Sequence, residues 1–205
     1  MQIRELAIPG AFEVTPRQFP DDRGAFWEWY RFDALADAVG HPLDLRQGSA
    51  SVSHRGVVRG IHFADVPPSQ AKYVTVGAGA ILDFVVDMRV GSPTFGQWDA
   101  VRLDAVDHRA LYVAEGLGHC FVALEPSTTV LYLVSEVFHP EREHAVTPLD
   151  PEIGLEFPLP RDELRLSQKD LEAPTLGEAR DAGLLPMWPE YLSFVRGLDK
   201  RWSGR

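Results

Sequence analysis

Short runs of alternating apolar and polar residues fill the chain from about residue 43 to residue 138, and turn residues separate the runs. Valine-rich stretches at 71–76 and 80–90 alternate in part, as half-buried β-strands do. Between them lies Gly77-Ala78-Gly79, which is typical of a tight turn. Further strand-like runs follow at 98–103, 110–113, 121–124 and 129–137. Many short strands at near-regular spacing favour a β-sandwich or barrel, and a jelly roll is one way to build it.

The two ends of the chain have helical patterns instead. Residues 33–39 predict a short helix before a glycine. Near the C-terminus, Thr175 and Glu178 have the spacing of a capping box, in which each side chain satisfies a free backbone donor of the other residue. This helix would run to about Asp181, and another is predicted over 188–197.

Composition narrows the class of protein. The chain has 205 residues, of which 45% are hydrophobic and 24% charged, enough for one soluble domain with a sizeable core. We expect a single domain over 1–205, in which residues 174–200 form a helical cover. The net charge of −10 argues against non-specific nucleic-acid binding, and no apolar run is long enough to predict a membrane span. The single cysteine, Cys120, cannot form an intrachain disulfide, so a cytoplasmic location is expected.

The segment Arg59-Gly60-Ile61-His62-Phe63 carries the first candidates for chemistry. An imidazole titrates near pH ~6.5 and can accept a proton at neutral pH, whereas a guanidinium can hold a phosphate with two hydrogen bonds. A lone histidine in a strand-rich segment is more often structural, so both interpretations of His62 stay open. In a regular strand Arg59 and His62 would face opposite sides, and they can share a pocket only if a bulge or a strand end lies between them.

Four other side chains could belong to the same site. Lys72 has the parity of the valines that follow it, so it could point inward, with Asp83 of the next strand as a supporting partner. The alternative is a surface ion pair of little energetic value. Tyr132 is either a core tyrosine with a satisfied hydroxyl or a general acid. Asp170 is either a loop carboxylate or the group that orients His62.

A metal site must also be considered, because many cupin-type jelly rolls carry one. Their first motif has two histidines one residue apart, and here His62 stands alone. The second motif survives as Ala114-Glu115-Gly116-Leu117-Gly118-His119. Two histidines are too few for a typical three-ligand site, so we expect no metal.

Taken together, these segments resemble the dTDP-4-dehydrorhamnose 3,5-epimerase family, whose members act on dTDP-linked 4-keto-6-deoxyhexoses. The resemblance runs from about residue 5 to residue 172, and it rests on 59–63, 116–119, 130–134 and 166–170. It implies an isomerase with a cupin-type jelly roll, without metal or cofactor. It also implies a homodimer in which N-terminal strands cross to the partner.

The family pattern carries roles over to individual residues. By resemblance, His62 removes a proton next to the C4 ketone of the sugar, and Asp170 pairs with it. Lys72 stabilises the enolate oxygen together with His119, and Tyr132 returns a proton from the opposite face.

The nucleotide contacts implied by the resemblance map onto two segments. Arg23, Phe26 and Glu28 would hold the thymidine end, and Gln47 and Arg59 would lie near the diphosphate.

Three positions depart from the common family pattern. Ser49 stands in place of asparagine, and Phe63 and Phe138 stand in place of tyrosines. Because members from antibiotic pathways sometimes invert one carbon only, inversion at C3 alone or C5 alone is an open alternative to double inversion. A ketoisomerase, a non-catalytic sugar-nucleotide-binding cupin and a metal-dependent oxygenase are the others.

Overall fold

Two antiparallel β-sheets packed face to face form the body of the computed structural model, which describes residues 1–203. The larger sheet has six strands in the order β1-β2-β10-β7-β12-β5, and the smaller has five in the order β13-β6-β11-β8-β9. A separate hairpin, β3-β4, lies outside both sheets. The strands are β1 (Gln2–Glu5), β2 (Ala11–Thr15), β3 (Gln18–Asp21), β4 (Gly24–Trp27), β5 (Gln47–Ser53), β6 (Val58–Ala64), β7 (Lys72–Ala78), β8 (Ala80–Asp87), β9 (Trp98–Asp104), β10 (Ala110–Val113), β11 (Leu117–Ala123), β12 (Thr128–Val134) and β13 (Glu143–Ala145). The predicted mainly β, jelly-roll architecture is confirmed.

The turn between β7 and β8 joins the two sheets rather than forming a hairpin. Gly79 is the one residue between these strands, and its φ is +77°. A Cβ atom at this position would lie 2.4 Å from Oγ1 of Thr128, so only glycine fits. The chain therefore crosses from the six-stranded sheet to the five-stranded sheet here, and the valine-rich runs on both sides contribute to one core between the sheets, with Val74, Val76 and Val85 among its members.

The outer face of the five-stranded sheet is covered by the later part of the chain. Phe63 and Phe84 of this sheet pack in one apolar cluster with Ile153, Leu176 and Leu185. Burial of this face explains why β8 and β11 are apolar along nearly their whole length instead of alternating cleanly.

Short helices occupy the ends of the chain, as the sequence predicts. They are α1 (Phe32–Val39), α2 (Gln168–Leu171), α3 (Leu176–Asp181) and α4 (Trp188–Ser203). The capping box of α3 is present, with Thr175 and Glu178 bonded to each other's backbone. The predicted end of the last helix near residue 197 is wrong, because α4 continues through Gly197 to Ser203.

Helix α4 is held to the sandwich at its first turn. The guanidinium of Arg89 lies 4.7 Å from the ring centre of Trp188 and 4.3 Å from that of Tyr191. The same guanidinium pairs with Asp87 at 2.8 Å, fully buried. Among the helices within residues 1–203, none has the length and apolar character needed to cross a membrane.

Candidate active site

A β-bulge in β6 brings Arg59 and His62 to the same face of the sheet. In the pairing of β6 with β11, His62 lies opposite His119 and Arg59 lies opposite Phe121. Two residues of β6, at positions 60 and 61, therefore stand opposite the single residue Cys120. Gly60 has a φ of +123°, and a Cβ atom there would lie 2.4 Å from the carbonyl oxygen of His119. The bulge that these two side chains require is confirmed, and glycine at position 60 permits it.

His62 forms a hydrogen-bonded pair with Asp170 of α2. The His62 Nε2 to Asp170 Oδ1 distance is 2.7 Å, and Ser167 Oγ donates to the other carboxylate oxygen at 2.8 Å. Burial raises the pKa of Asp170, but the hydrogen bond and charge of His62, together with Ser167, outweigh it and leave the pKa below its ordinary value. Because an ionised carboxylate only accepts hydrogen bonds, the imidazole donates from Nε2, and in the neutral form of the ring this leaves the lone pair on Nδ1.

The second histidine of this wall, His119, pairs with Asp83 at 2.6 Å. The expected direct pair of Asp83 with Lys72 is not formed, and no ion pair within 4.0 Å joins Lys72 to a carboxylate in residues 1–203. The cause is the sheet assignment: Asp83 lies in β8, beside the strand of His119, whereas Lys72 lies in β7 of the opposite sheet. Burial raises the pKa of Asp83 against the opposing charges of His119 and Lys72.

Lys72 and Tyr132 come from the six-stranded sheet and share its inner face. Val134 lies opposite Lys72, and Tyr132 lies opposite Val74, so the parity expected from the sequence is confirmed. Burial lowers the pKa of Lys72, whereas the negative charges of Glu143 and Asp83 act in the opposite direction. Burial raises the pKa of Tyr132 to about 12, although a hydrogen bond with Ser51 opposes the shift.

These side chains line one cavity of about 730 Å³ between the two sheets. Arg59, Lys72, Arg165 and Lys169 give it four cationic side chains. Its carboxylates are Glu143 and Asp170. The cavity is therefore rich in cations although the chain carries a net charge of −10, which suits an anionic ligand.

Of the other residues predicted for the site, four line the cavity and three do not. Those that line it are Gln47, Arg59, His119 and Phe138. Arg23, Phe26 and Glu28 lie instead on or beside the hairpin β3-β4, with Phe26 66% exposed. Within this chain the structure does not bring these three side chains to the cavity.

The three departures from the family pattern have different surroundings. Ser49 lines the cavity and accepts a hydrogen bond from the Gln47 side-chain amide at 2.9 Å. Phe138 lies at the rim and is largely exposed. Phe63 is buried on the opposite face of β6, in the outer apolar cluster rather than in the cavity.

The sequence predicts no role for several residues that line the cavity. Glu143 arrives through the pairing of β13 with β6, where it lies opposite Ala64. Arg165 and Lys169 both come shortly before Asp170 in the chain, and Lys169 shares α2 with it. Two cations within five residues of a candidate carboxylate are a signal that could have identified them, whereas nothing local marks Glu143.

The donor set for a metal ion is sparse. In the part of the chain that the structure describes, no group of three or more His, Cys, Asp or Glu side chains converges in a way that could hold one.

The protein-family model described as dTDP-4-dehydrorhamnose 3,5-epimerase matches residues 5–178 of the chain. The chain belongs to this family. This membership confirms the predicted enzyme class, which is that of an epimerase.

Two relatives within the family have different names. The dTDP-4-dehydrorhamnose 3,5-epimerase of Mycolicibacterium smegmatis is 54% identical over 199 residues, which cover 97% of both chains. The dTDP-4-dehydrorhamnose 3-epimerase of Streptomyces niveus is 53% identical over 92% of this chain and 90% of its own. Among solved structures, the rmlC epimerase of Mycobacterium tuberculosis superposes with a TM-score of 0.94 at 48% identity, covering 97% of this chain and all of its own. Identity therefore supports the family strongly but does not separate inversion at one carbon from inversion at two.

Proposed function

We propose that this chain epimerises a dTDP-linked 4-keto-6-deoxyhexose at C3, C5 or both, by proton abstraction and reprotonation through an enolate, without metal or cofactor. The proposal is carried by one observation: His62 and Tyr132 belong to opposite sheets and line the same cavity. Inversion of a carbon requires that its proton leaves from one face and that a proton returns to the other. A base on one wall and an acid on the opposite wall meet this requirement.

His62 is the proposed base. Asp170 holds its Nε2–H, so Nδ1 takes the proton from the carbon next to the ketone as the C–H bond breaks. The electron pair moves into the enolate, and the negative charge collects on the C4 oxygen. Ionised Asp170 then stabilises the imidazolium that results.

Lys72 and His119 are the proposed partners of the enolate oxygen. A fixed cation or N–H donor aimed at developing charge lowers the barrier, especially in a site that excludes water. Asp83 supports this arrangement by holding His119.

Tyr132 is the proposed acid. Because burial raises its pKa to about 12, the phenol keeps its proton at neutral pH and can deliver it. The O–H bond breaks as the C=C electron pair of the enolate takes the proton on the face opposite His62, and an electron pair of the C4 oxygen re-forms the ketone.

The cationic side of the cavity suits the nucleotide. Arg59 and Gln47 would contact the diphosphate, with Arg165 and Lys169 adding positive charge. The relatives' names refer to dTDP-linked sugars, and we extend this substrate class to the present chain. We also propose that the chain acts in the cytoplasm.

We further propose a homodimer. The hairpin β3-β4 presents Phe19 and Phe26 to solvent in a single chain, an apolar surface that a partner would cover. If the hairpin reaches the partner's cavity, Arg23, Phe26 and Glu28 contact the thymidine end there.

Incubation with dTDP-4-keto-6-deoxyglucose in heavy water tests the reaction directly. We expect deuterium at C3, at C5 or at both, together with inverted product, measured by position-resolved NMR and mass spectrometry. The same assay is run after treatment with a chelator, and we expect unchanged turnover.

Other outcomes would support the alternatives. Binding of the sugar nucleotide without exchange would indicate a non-catalytic cupin, and conversion to a 3-keto sugar would indicate a ketoisomerase. Turnover lost on chelation and restored by one divalent ion would indicate a metal-dependent enzyme.

A further inference from the structure

Alternate residues of β5 place a row of serines behind the proposed acid. β5 is an edge strand of the six-stranded sheet and pairs with β12. Ser49 lies opposite Tyr132, Ser51 opposite Val130 and Ser53 opposite Thr128. Paired residues of neighbouring strands share a face, so these serines point to the inner side together with Tyr132.

Two of these serines hold functional side chains without lining the cavity themselves. The Ser51 hydroxyl lies 3.2 Å from the Tyr132 hydroxyl. Ser53, 2% exposed, accepts a hydrogen bond from Nε of Arg59 at 3.2 Å. Ser51 and Ser53 are absent from the cavity wall, so they can affect a bound sugar nucleotide only through the groups that they hold.

We propose that Ser51 is a positioning residue that aims the Tyr132 hydroxyl and stabilises its phenolate, and that it thereby sets how often proton abstraction ends in inversion. This inference rests on the proposed epimerase function. Ser53 has the parallel task of orienting Arg59, which concerns binding of the nucleotide rather than the fate of the enolate.

The chemistry of the step determines which hydroxyl, Ser51 or Tyr132, donates the hydrogen bond. When Tyr132 gives its proton to carbon, the phenoxide oxygen can only accept hydrogen bonds. Ser51 then donates to it and keeps its own proton, and the phenoxide regains a proton from solvent after the product leaves. Burial alone would make Tyr132 a weaker acid, and the bond from Ser51 opposes this effect on its pKa.

Loss of this bond has a specific consequence. His62 lies on the other wall and does not depend on Ser51, so proton abstraction continues. The imidazolium can return a solvent deuteron to the same face, which gives exchange with retention. A weakened Tyr132 therefore lowers the ratio of inversion to exchange with retention, which a general loss of packing would not do.

The test compares Ser51→Ala, Ser51→Thr and Ser53→Ala in heavy water with dTDP-4-keto-6-deoxyglucose. For Ser51→Ala we expect inversion to fall about 10- to 100-fold, the range for losing a hydrogen bond to a charged group, with retention exchange largely kept. Ser51→Thr keeps the hydroxyl and should restore most of the ratio. For Ser53→Ala we expect KM to rise about 10-fold, the low end for losing a hydrogen bond to a charged group, with the ratio unchanged.

Thermal unfolding and dTDP binding of each variant provide the folding control. A parental ratio in Ser51→Ala would overturn the inference, and so would an equal loss in Ser51→Ala and Ser51→Thr, since the hydroxyl would then not be responsible. If the parent protein itself exchanges no deuterium, the proposed function fails instead, so the two failures are distinguishable.

Discussion

At the scale of single residues, two histidines of one sheet have the same partner chemistry but different access to a ligand. His62 and His119 each lie within 2.7 Å of an aspartate oxygen through Nε2. The His62 side chain is 34% exposed, whereas the His119 side chain is 6% exposed. A base must reach its substrate and exchange protons with solvent, so the exposures favour His62 for the proposed role of base and His119 for the proposed role of fixed donor.

His62→Ala should abolish deuterium exchange while dTDP binding survives, because Arg59 and Gln47 are untouched. Removal of a general base costs about 10²–10⁴-fold in rate. The exchange assay and a dTDP titration measure the two properties separately. His54→Ala, at an exposed position outside the cavity, is the matched control; exchange at the parental rate in His62→Ala would remove His62 from the mechanism.

Asp170→Asn should slow the reaction by about 10²-fold, because the imidazolium loses its negative partner. The same pair makes stability depend on pH. The pKa of Asp170 lies below its ordinary value of 3.8, so its contribution to folding is fully present above about pH 4 and is lost as pH falls through the folded pKa. Denaturant unfolding of parent and variant from pH 7 to pH 2 should show a difference in unfolding free energy that shrinks at the acid end. A difference that stays constant with pH would contradict the pairing.

Phe138→Tyr tests control of the number of inverted carbons. Phe138 lines the cavity, and the missing hydroxyl removes any hydrogen bond that a tyrosine would make to substrate or to Tyr132. Such a bond contributes about 0.5–1.5 kcal/mol, enough to shift a partition without forbidding the second inversion. We expect a larger share of product labelled at both C3 and C5 by deuterium NMR. Equal labelling of both carbons in the parent would exclude a strict monoepimerase, and an unchanged share in the variant would show that Phe138 has no control.

At the scale of elements, the bulge in β6 aligns the candidate site. It shifts the register so that Arg59 and His62 share a face, while Val58 and Ile61 pack together on the other. A regular strand would send one of the two functional side chains into the outer apolar cluster.

Gly60→Ala should therefore damage both stability and activity. The new Cβ atom would meet the His119 carbonyl oxygen at 2.4 Å in a backbone conformation that L-residues rarely adopt. We expect a loss of about 1–3 kcal/mol in unfolding free energy, measured by denaturant titration, together with reduced exchange. Gly197→Ala in α4 is the control, because its Cβ meets nothing within 4 Å and helix propensity should stabilise it by about 0.5–1 kcal/mol. Equal behaviour of the two variants would argue against a required bulge.

The C-terminal helices are the second group of elements whose packing matters. We propose that residues 174–200 act as a cover belonging to one domain, because Leu176 packs on the five-stranded sheet and Tyr191 packs in the inter-sheet core. The stacking of Trp188 and Tyr191 on buried Arg89 ties this cover to the end of β8.

At the scale of the whole molecule, the proposed dimer separates the residues of one site between two chains. If the hairpin serves the partner's cavity, a mixture of His62→Ala and Arg23→Ala proteins should recover activity at low substrate concentration. In a mixed dimer the Arg23→Ala chain keeps its base and receives an intact hairpin, so random exchange restores about a quarter of the sites.

Lys72→Ala mixed with His62→Ala is the control, because both side chains line the cavity of one chain. This mixture should recover nothing if each chain encloses its own cavity. Sedimentation gives the oligomeric state independently. A monomer at all concentrations, or no recovery in the first mixture after confirmed subunit exchange, would refute the shared site.

Several elements of secondary structure follow from short-range patterns in the sequence. The strand at 110–113, the capping box at Thr175 and the helix over 33–39 follow from alternation and backbone hydrogen bonding within a few residues. The need for a bulge between Arg59 and His62 followed from strand parity alone.

Only the tertiary structure decided which distant groups meet. Asp83 pairs with His119 rather than Lys72 because the turn at Gly79 sends β7 and β8 into different sheets. Glu143, Arg165 and Lys169 join the cavity from a strand, a loop and a helix that are far from His62 in sequence. Parity tells which face a side chain takes, but partners across a sandwich depend on sheet order and register, which the packing of the whole chain sets.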